Sequence, residues 1–331
     1  MILAGDIGGT SSRLAYFEVI DKKLVRTCMG IYPSRQYRDL AEILQLYIHQ
    51  YPASISYVCL GLAAPIRQGM AKTPNLPWYV DISDLERKTG LKKITLINDL
   101  EANAWGVGGL DAVDFCVLNK GDEAAKGNQA VISAGTGLGE AGLYWDGTSH
   151  HPFACEGGHA DFAPCDKLQS ELMLYLGGNR DEHVSYERVV SGPGLKAIYE
   201  FLRDTGRGSE QPEMAEKINS EAASAIISEA AMKRTCPLCE QALDLFVSIY
   251  GAEAGNVALK FMATGGVYLG GGIAPKIISA LQQPSFMRAF TSKGRMQTLL
   301  ENMPVRVILN PDTALLGSAR CAASASLLLD V

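Results

Sequence analysis

The chain carries one short device twice. An apolar run, Ile2 to Ala4, leads into Gly5-Asp6-Ile7-Gly8-Gly9-Thr10 and out into a second run, Leu14 to Ile20. Far downstream, Ala130 to Ser133 leads into Ala134-Gly135-Thr136-Gly137-Leu138-Gly139 and out into Ala141 to Trp145. Each reads as strand, glycine-rich turn, strand, and the repetition predicts two similar lobes. Glycines let a turn close tightly and let successive N–H groups approach a ligand unobstructed, which suits phosphate oxygens. Either turn alone fits a plain tight hairpin equally well. Two of them opening two lobes point to a nucleotide whose phosphates are held from both sides.

The pattern around the first device is βββαβαβ and then a helix. Leu24 to Cys28 makes the third strand, and Leu40, Ile43, Leu44, Tyr47 and Ile48 share one helical face, which predicts a helix over 38–50. Tyr57 to Ala63 is a buried strand. Ser83 and Glu86 have the spacing of a capping box opening a helix that runs to Gly90, and Lys93 to Ile97 is a strand delivering Asn98-Asp99 at its carboxyl end, with a helix from Leu100. After the second device come helical stretches around Lys167 to Leu176, Gly194 to Thr205 and, at length, Glu213 to Met262. A strand (Val267 to Leu269), Gly270-Gly271-Gly272, a helix led by Pro275, a strand (Val305 to Leu309) and a last helix from Asp312 complete the chain. The expected class is α/β, duplicated, with a helical insertion in the second lobe.

With 331 residues, 47% of them hydrophobic and 20% charged, the chain has material for about two domains with sizeable cores. No window approaches the roughly 18 apolar residues of a membrane helix, and a carboxylate already stands at position 6 without a basic segment before it, so neither a membrane span nor a signal peptide is expected. The net charge of −6 leaves no cation excess for a phosphate backbone, so nucleic acid is not an expected partner. The eight cysteines sit mostly in apolar runs and read as reduced thiols of a cytoplasmic protein. Cys236-Pro-Leu-Cys239 has the spacing of half a zinc site; with no second such pair it reads as a proline-led helix start.

Several side chains suit chemistry. Gly137-Leu-Gly139-Glu-Ala-Gly142 fits G-x-G-x-x-G, with Asp161 near the place of its ribose acid, but the apolar run after Gly142 is not the helix this fingerprint needs. Walker A, H-R-D and G-x-S-x-G signatures are absent from the chain. Asp99 can be read as a helix N-cap or as a carboxylate at a strand's carboxyl end that takes the proton of an attacking hydroxyl. Asn98 beside it can donate and accept at once, as sugar hydroxyls require. Glu156-Gly-Gly-His159 sets a carboxylate and an imidazole in a turn, and Glu187 adds an acid in another, which together favour a polyol pocket. His49, His150, His151 and His183 have no such setting and read as surface or packing residues.

These motifs together resemble the bacterial glucokinases and, more broadly, the actin, hexokinase and Hsp70-type ATPase fold. The match runs through Gly5 to Thr10, Asn98-Asp99, Ser133 to Gly139, Glu156 to Pro164, Glu187 to Gly194 and Gly270 to Lys276. The resemblance implies two lobes built on duplicated ribonuclease H-like βββαβα units. It places residues 1–109 plus 311–331 in a small domain and 110–310 in a large one, with the active-site cleft between them. It implies ATP and Mg²⁺ as cofactors, D-glucose phosphorylated at its 6-hydroxyl, and a homodimer. Asp99 would be the catalytic base, with Asn98, Glu156, His159 and Glu187 on the sugar. Gly5, Asp6, Ile7, Gly8, Gly9 and Thr10, with Gly135, Thr136 and Gly137, would cradle phosphates; Gly270, Gly271 and Gly272 would lie near adenosine, and Asp6 would place Mg²⁺ through water. Ser11, Leu100 and Tyr186 depart from the family's usual residues at their positions. The cysteine-rich zinc motif of the related repressors and an N-terminal helix-turn-helix are not expected. A rival on the same fold is an ATP-driven conformational protein, which would have no need of a converging polyol set.

Overall fold

The computed structural model describes residues 1–73, 75–178, 183–220 and 222–325. The chain divides into one unit of Met1–Ala112, Thr148–Ala154 and residues from Asn310 onward, and a second of Val113–Gly147 and Cys155–Leu309.

In the first unit, Ile2, Leu3 and Ala4 are all buried, so β1 (Ile2–Ile7) is an apolar run covered on both faces. β1 pairs antiparallel with β2 (Ser11–Ile20), which pairs antiparallel with β3 (Lys23–Pro33). Asp39 caps α1 (Leu40–Gln50) by accepting the Glu42 N–H, and Leu40, Ile43, Leu44 and Tyr47 face the core. β4 (Tyr57–Leu62) then runs parallel to β1. A small ribbon of β5 (Met70–Lys72) and β6 (Tyr79–Asp81), too short to stand out in the sequence, precedes α2 (Ile82–Thr89). The cap of α2 differs from the expected Ser83–Glu86 box. Asp81, extended at the end of β6, aims its carboxylate at the Asp84 N–H, while Ser83 lies inside the first turn. β7 (Ile94–Asn98) runs parallel to β4 and delivers α3 (Asp99–Val107), giving the sheet order β3-β2-β1-β4-β7.

The second unit repeats these pairings. β8 (Phe115–Asn119) comes first, and then β9 (Gln129–Ala134) pairs antiparallel with β10 (Leu138–Trp145), as β1 does with β2. β11 (His150–Cys155), all but its last residue counted with the first unit, intervenes before α4 (Lys167–Gly177) and α5 (Gly192–Asp204). The long helical run breaks into α6 (Pro212–Ile218), α7 (Ala223–Met232) and α8 (Pro237–Phe261). The second break has a local cause: Arg234 is left-handed and Pro237 opens the next helix. β12 (Gly266–Gly270) runs parallel to β9, as β4 does to β1. Pro275 sits in a short 3₁₀ turn, Ala274–Lys276, and regular helix begins only at α9 (Ile278–Leu281), followed by α10 (Pro284–Thr291) and α11 (Gln297–Glu301). β13 (Val305–Ile308) runs parallel to β12 and antiparallel to β8. The class is therefore α/β with a duplicated strand core and a helical insertion around α8, whose Phe246 and Tyr250 are wholly buried.

The chain closes in the first unit with α12 (Thr313–Ala325). Any side chain on Gly106 would collide with the Thr313 carbonyl, and any on Gly317 with the Ala102 carbonyl, so α3 and α12 cross with their backbones in contact. Ser318 Oγ donates to the Gly5 carbonyl at 2.8 Å inside the core.

Cys236 and Cys239 are buried free thiols; the Cys239 N–H donates to Cys236 Sγ at 3.3 Å, which makes Cys236 the cap of α8. Among the described residues no group of three or more His, Cys, Asp and Glu side chains is placed to hold a metal, and no helix is long and apolar enough to cross a membrane.

Candidate active site

The first glycine turn is held from beneath. The Gly8 N–H donates to the Ser11 carbonyl at 3.0 Å, which closes the turn and leaves Thr10 exposed. Ser34, wholly buried after β3, donates its hydroxyl to the Gly8 carbonyl at 2.7 Å and its N–H to the Thr10 carbonyl at 3.0 Å. Ser12 Oγ lies 2.9 Å from Ser34 Oγ. Gly5 and Ile7 are packed inside the sheet, since a Cβ on Gly5 would stand 2.6 Å from Leu60 Cδ2. Asp6 is a quarter exposed, and Arg13 Nη1 stands 3.9 Å from its Oδ2. Desolvation raises the Asp6 pKa, opposed by Arg13 and reinforced by Asp312. Arg13 in turn donates to the Pro311 carbonyl at 2.8 Å, and Arg26 binds Asp312.

Asn98 and Asp99 take different positions from a plain Asp99 cap. Asn98 is the N-cap of α3: its Oδ1 accepts the Leu100 N–H at 2.8 Å, and its Nδ2 donates to the Ala64 carbonyl at 3.3 Å. Asp99 is the first helical residue, Oδ1 3.0 Å from the Leu100 nitrogen. With the neighbour as cap, the Asp99 carboxylate sits at the positive end of α3, which favours its negative charge.

The second glycine turn opens a cavity of about 600 Å³ within the second unit, lined by Gly135, Thr136, Lys196, Asn219, Gly272 and Lys276 among others. The Gly135 N–H donates to the Gly137 carbonyl, and the Gly192 N–H at the start of α5 donates to the Gly135 carbonyl, both at 2.8 Å. Ser191 caps α5 by accepting the Gly194 N–H at 3.1 Å, and Pro193 has no N–H. The helix end thus offers the cavity its dipole rather than free donors. Gly271 is left-handed at φ +80°, and a Cβ there would strike the Ala134 carbonyl; a Cβ on Gly270 would meet the Ser133 side chain. Gly270 and Gly271 therefore serve close approach to β9, and of the three glycines Gly272 lines the cavity. Lys196 and Lys276 supply two cations that sequence reasoning passed over. Their signal was adjacency: Lys276 ends the glycine motif, and Lys196 follows Ser191-Gly-Pro-Gly194 by two residues.

Glu187 lies in the 3₁₀ turn Tyr186–Arg188, with its carboxylate against the glycine turn: Oε2 accepts the Leu138 N–H at 2.9 Å. His159 Nδ1 stands 4.0 Å from Glu187 Oε1, and the imidazole is more than half exposed. Glu156 opens the 3₁₀ turn Gly157–His159 without using its side chain as a cap. The second unit thus brings His159 and Glu187 together beside Gly137, with Glu156 on the same short turn as His159. Tyr186 is buried, its ring edge-on to Phe162 at 5.5 Å and its hydroxyl accepting from Asn256, so this departure from the family pattern is a packing residue. The G-x-G-x-x-G match runs into strand β10, and Asp161 is exposed and paired with His183 Nε2 at 2.8 Å.

A family model described as Glucokinase matches residues 3–325. The chain is 41% identical to a glucokinase of Nostoc punctiforme, over 98% of this chain and 99% of that protein. The solved glucokinase of an Antarctic psychrotroph superposes with a TM-score of 0.85 at 30% identity, covering 98% of both chains. A ROK family glucokinase of Streptomyces griseus, solved with glucose and AMPPNP, shares the fold at a TM-score of 0.63 and 19% identity, over 98% of this chain and 99% of that one.

Proposed function

The chain belongs to the glucokinase family, and we propose that it transfers the γ-phosphoryl group of ATP to the 6-hydroxyl of D-glucose, with Asp99 as the general base. The observation that carries the reading is the bond from the Leu138 N–H to Glu187, which joins a carboxylate suited to sugar hydroxyls to the turn suited to phosphates. A nucleotide-driven conformational protein has no use for that junction.

Phosphoryl transfer asks mainly for positioning and charge stabilisation. Asp99 receives the hydroxyl proton as the oxygen attacks in line, with no phosphoenzyme, while Asn98, Glu156, His159 and Glu187 hold the other hydroxyls. Gly8 to Thr10 and Gly135 to Gly137 take phosphate oxygens, and the 600 Å³ cavity has the size and the two lysines that a nucleotide fits. Mg²⁺ commonly keeps several waters and binds through one or two carboxylates plus substrate phosphates. The partly exposed carboxylate of Asp6, with Arg13 and Asp312 beside it, would hold the ion through water, and the ion would neutralise phosphate charge there. A cytoplasmic homodimer belongs to the same reading and is carried by the family resemblance.

The test is ADP production from ATP and Mg²⁺ without sugar, then with glucose, mannose, fructose, glucosamine or N-acetylglucosamine. Stimulation by glucose above the others supports the reading, and sugar-independent ADP release favours the conformational rival.

A further inference from the structure

Behind the residues assigned to the sugar lies a buried polar network that the reaction as read above does not use. Glu140 of β10 is 2% exposed and Glu253 of α8 is wholly buried. Burial, and then the charge of Glu253, raises the Glu140 pKa, and Oε1 of each carboxyl makes no hydrogen bond among the described residues. Two carboxylates in one core repel and leave acceptors orphaned, whereas one shared proton removes the repulsion and gives both oxygens a partner. Lys260 Nζ, 3.5 Å from Glu253 Oε1, balances the charge that remains.

The pair reaches both sugar-site turns. A Cβ on Gly157 would strike Glu140 Oε2, so the turn Gly157–His159 rests directly on that carboxyl. On the other side, Asn256 Nδ2 donates to Glu253 Oε2 at 2.8 Å and to Tyr186 Oη at 3.0 Å. Lys293 Nζ fixes Asn256 by donating to its Oδ1 at 2.6 Å and to the Ala252 carbonyl at 2.9 Å. Tyr186 immediately precedes Glu187, and its N–H donates to the Ala160 carbonyl at 3.0 Å, which ties the two turns to each other.

We propose that Glu140 and Glu253, bridged by one proton, are positioning residues for the polyol pocket: the pair seats the turn carrying His159 and, through Asn256 and Tyr186, the turn carrying Glu187. The inference rests on the sugar reading of His159 and Glu187.

Glu140→Gln keeps a donor and an acceptor at the site, and Glu140→Ala removes both. Glu140→Ala is expected to raise the KM for glucose about tenfold, the change that follows from loss of one hydrogen-bonded contact's worth of positioning, with the KM for ATP within about threefold of wild type. Glu140→Gln is expected to restore the glucose KM to within about threefold of wild type. Hydrogen exchange of residues 157–160 and 186–190 reads the seating without reference to activity, and it should quicken in the Ala variant and not in the Gln variant. A folded Glu140→Ala protein with normal glucose KM and normal exchange overturns the proposal. If that variant does not fold, Glu140→Gln and Glu253→Gln decide it: normal glucose KM and exchange in both support the shared proton, and loss of either in a folded protein overturns it. Should the wild type not phosphorylate glucose, the sugar reading fails alone, and the exchange measurements still decide whether the pair seats the two turns.

Discussion

Glu187 Oε2 accepts the main-chain N–H of Leu138 at 2.9 Å, and any side chain on Gly137 would collide with that same oxygen. One carboxylate thereby shapes the end of the second glycine turn while its other oxygen lies 4.0 Å from His159 Nδ1.

Glu187→Ala should therefore disturb both substrates. Truncation leaves the Leu138 N–H without its acceptor and the sugar without a partner, each a loss worth about a factor of ten. The KM values for ATP and for glucose should both rise, whereas His159→Ala should raise only that for glucose. Initial rates with each substrate varied in turn check this; an unchanged ATP KM in Glu187→Ala would show that the bond does not support the turn.

Asp99→Asn preserves the size of the first residue of α3 and removes its basicity. Turnover should fall on the order of a hundred- to ten-thousand-fold, the usual share of a general base, with glucose binding by calorimetry little changed. Near-normal kcat in this variant would remove the base assignment.

Lys196 and Lys276 face the cavity from α5 and from the turn after β12. Replacing either by Ala should raise the KM for ATP about tenfold and weaken its dependence on salt, because a charge-assisted contact to phosphate is lost. The glucose KM should stay put. Equal effects on both substrates would point instead to a general loosening of the second unit.

The acidity of Glu140 predicts how stability varies with pH. Burial, then the charge of Glu253, pushes its pKa up to about 8, with Lys260 pulling the other way; the Cys155 thiol and Tyr250 hydroxyl also feel its charge. An acid whose pKa is higher folded than unfolded holds its proton in the native state, so its stabilisation is complete below about pH 4.5 and is lost as pH rises through about 8. Between those limits this proton contributes a slope of up to about 1.4 kcal/mol per pH unit. Melting temperatures from pH 5 to 8 should fall less steeply in Glu140→Gln than in the wild type. Parallel curves would show that Glu140 is ionised in the folded protein.

The strand core was legible because β1, β4, β9 and β12 are buried apolar runs, three of them ending in glycine turns, a pattern that needs no tertiary knowledge. The polar residues of the site were legible as types in turn-rich settings, and the carboxylate of Glu187 does lie beside the imidazole of His159. Partners were not legible. Ser34, Glu140, Glu253 and Asn256 act by contacts with residues far along the chain, and a single buried serine or glutamate leaves no periodic trace. The cap of α2 was misread because Ser83 satisfied a local spacing rule while Asp81, two residues earlier, held the extended backbone a cap requires. The second break in the 213–262 run turned on left-handed Arg234 beside the proline that opens α8, and the first carried no comparable mark in the sequence.

The crossing of α3 and α12 also sets an order of assembly. Both the carbonyl of Gly5 and the backbone of α3 wait for a helix that leaves the ribosome some two hundred residues after β7. The strands and helices of the second unit, interrupted by residues 148–154 of the first, are synthesised in one stretch of the chain and precede the closing piece of the first unit. A nascent chain halted before Ser318 would thus hold a finished second unit and an unsealed first one. A truncation that removes α12 should therefore cost the protein the support of its first glycine turn, many residues away in the chain.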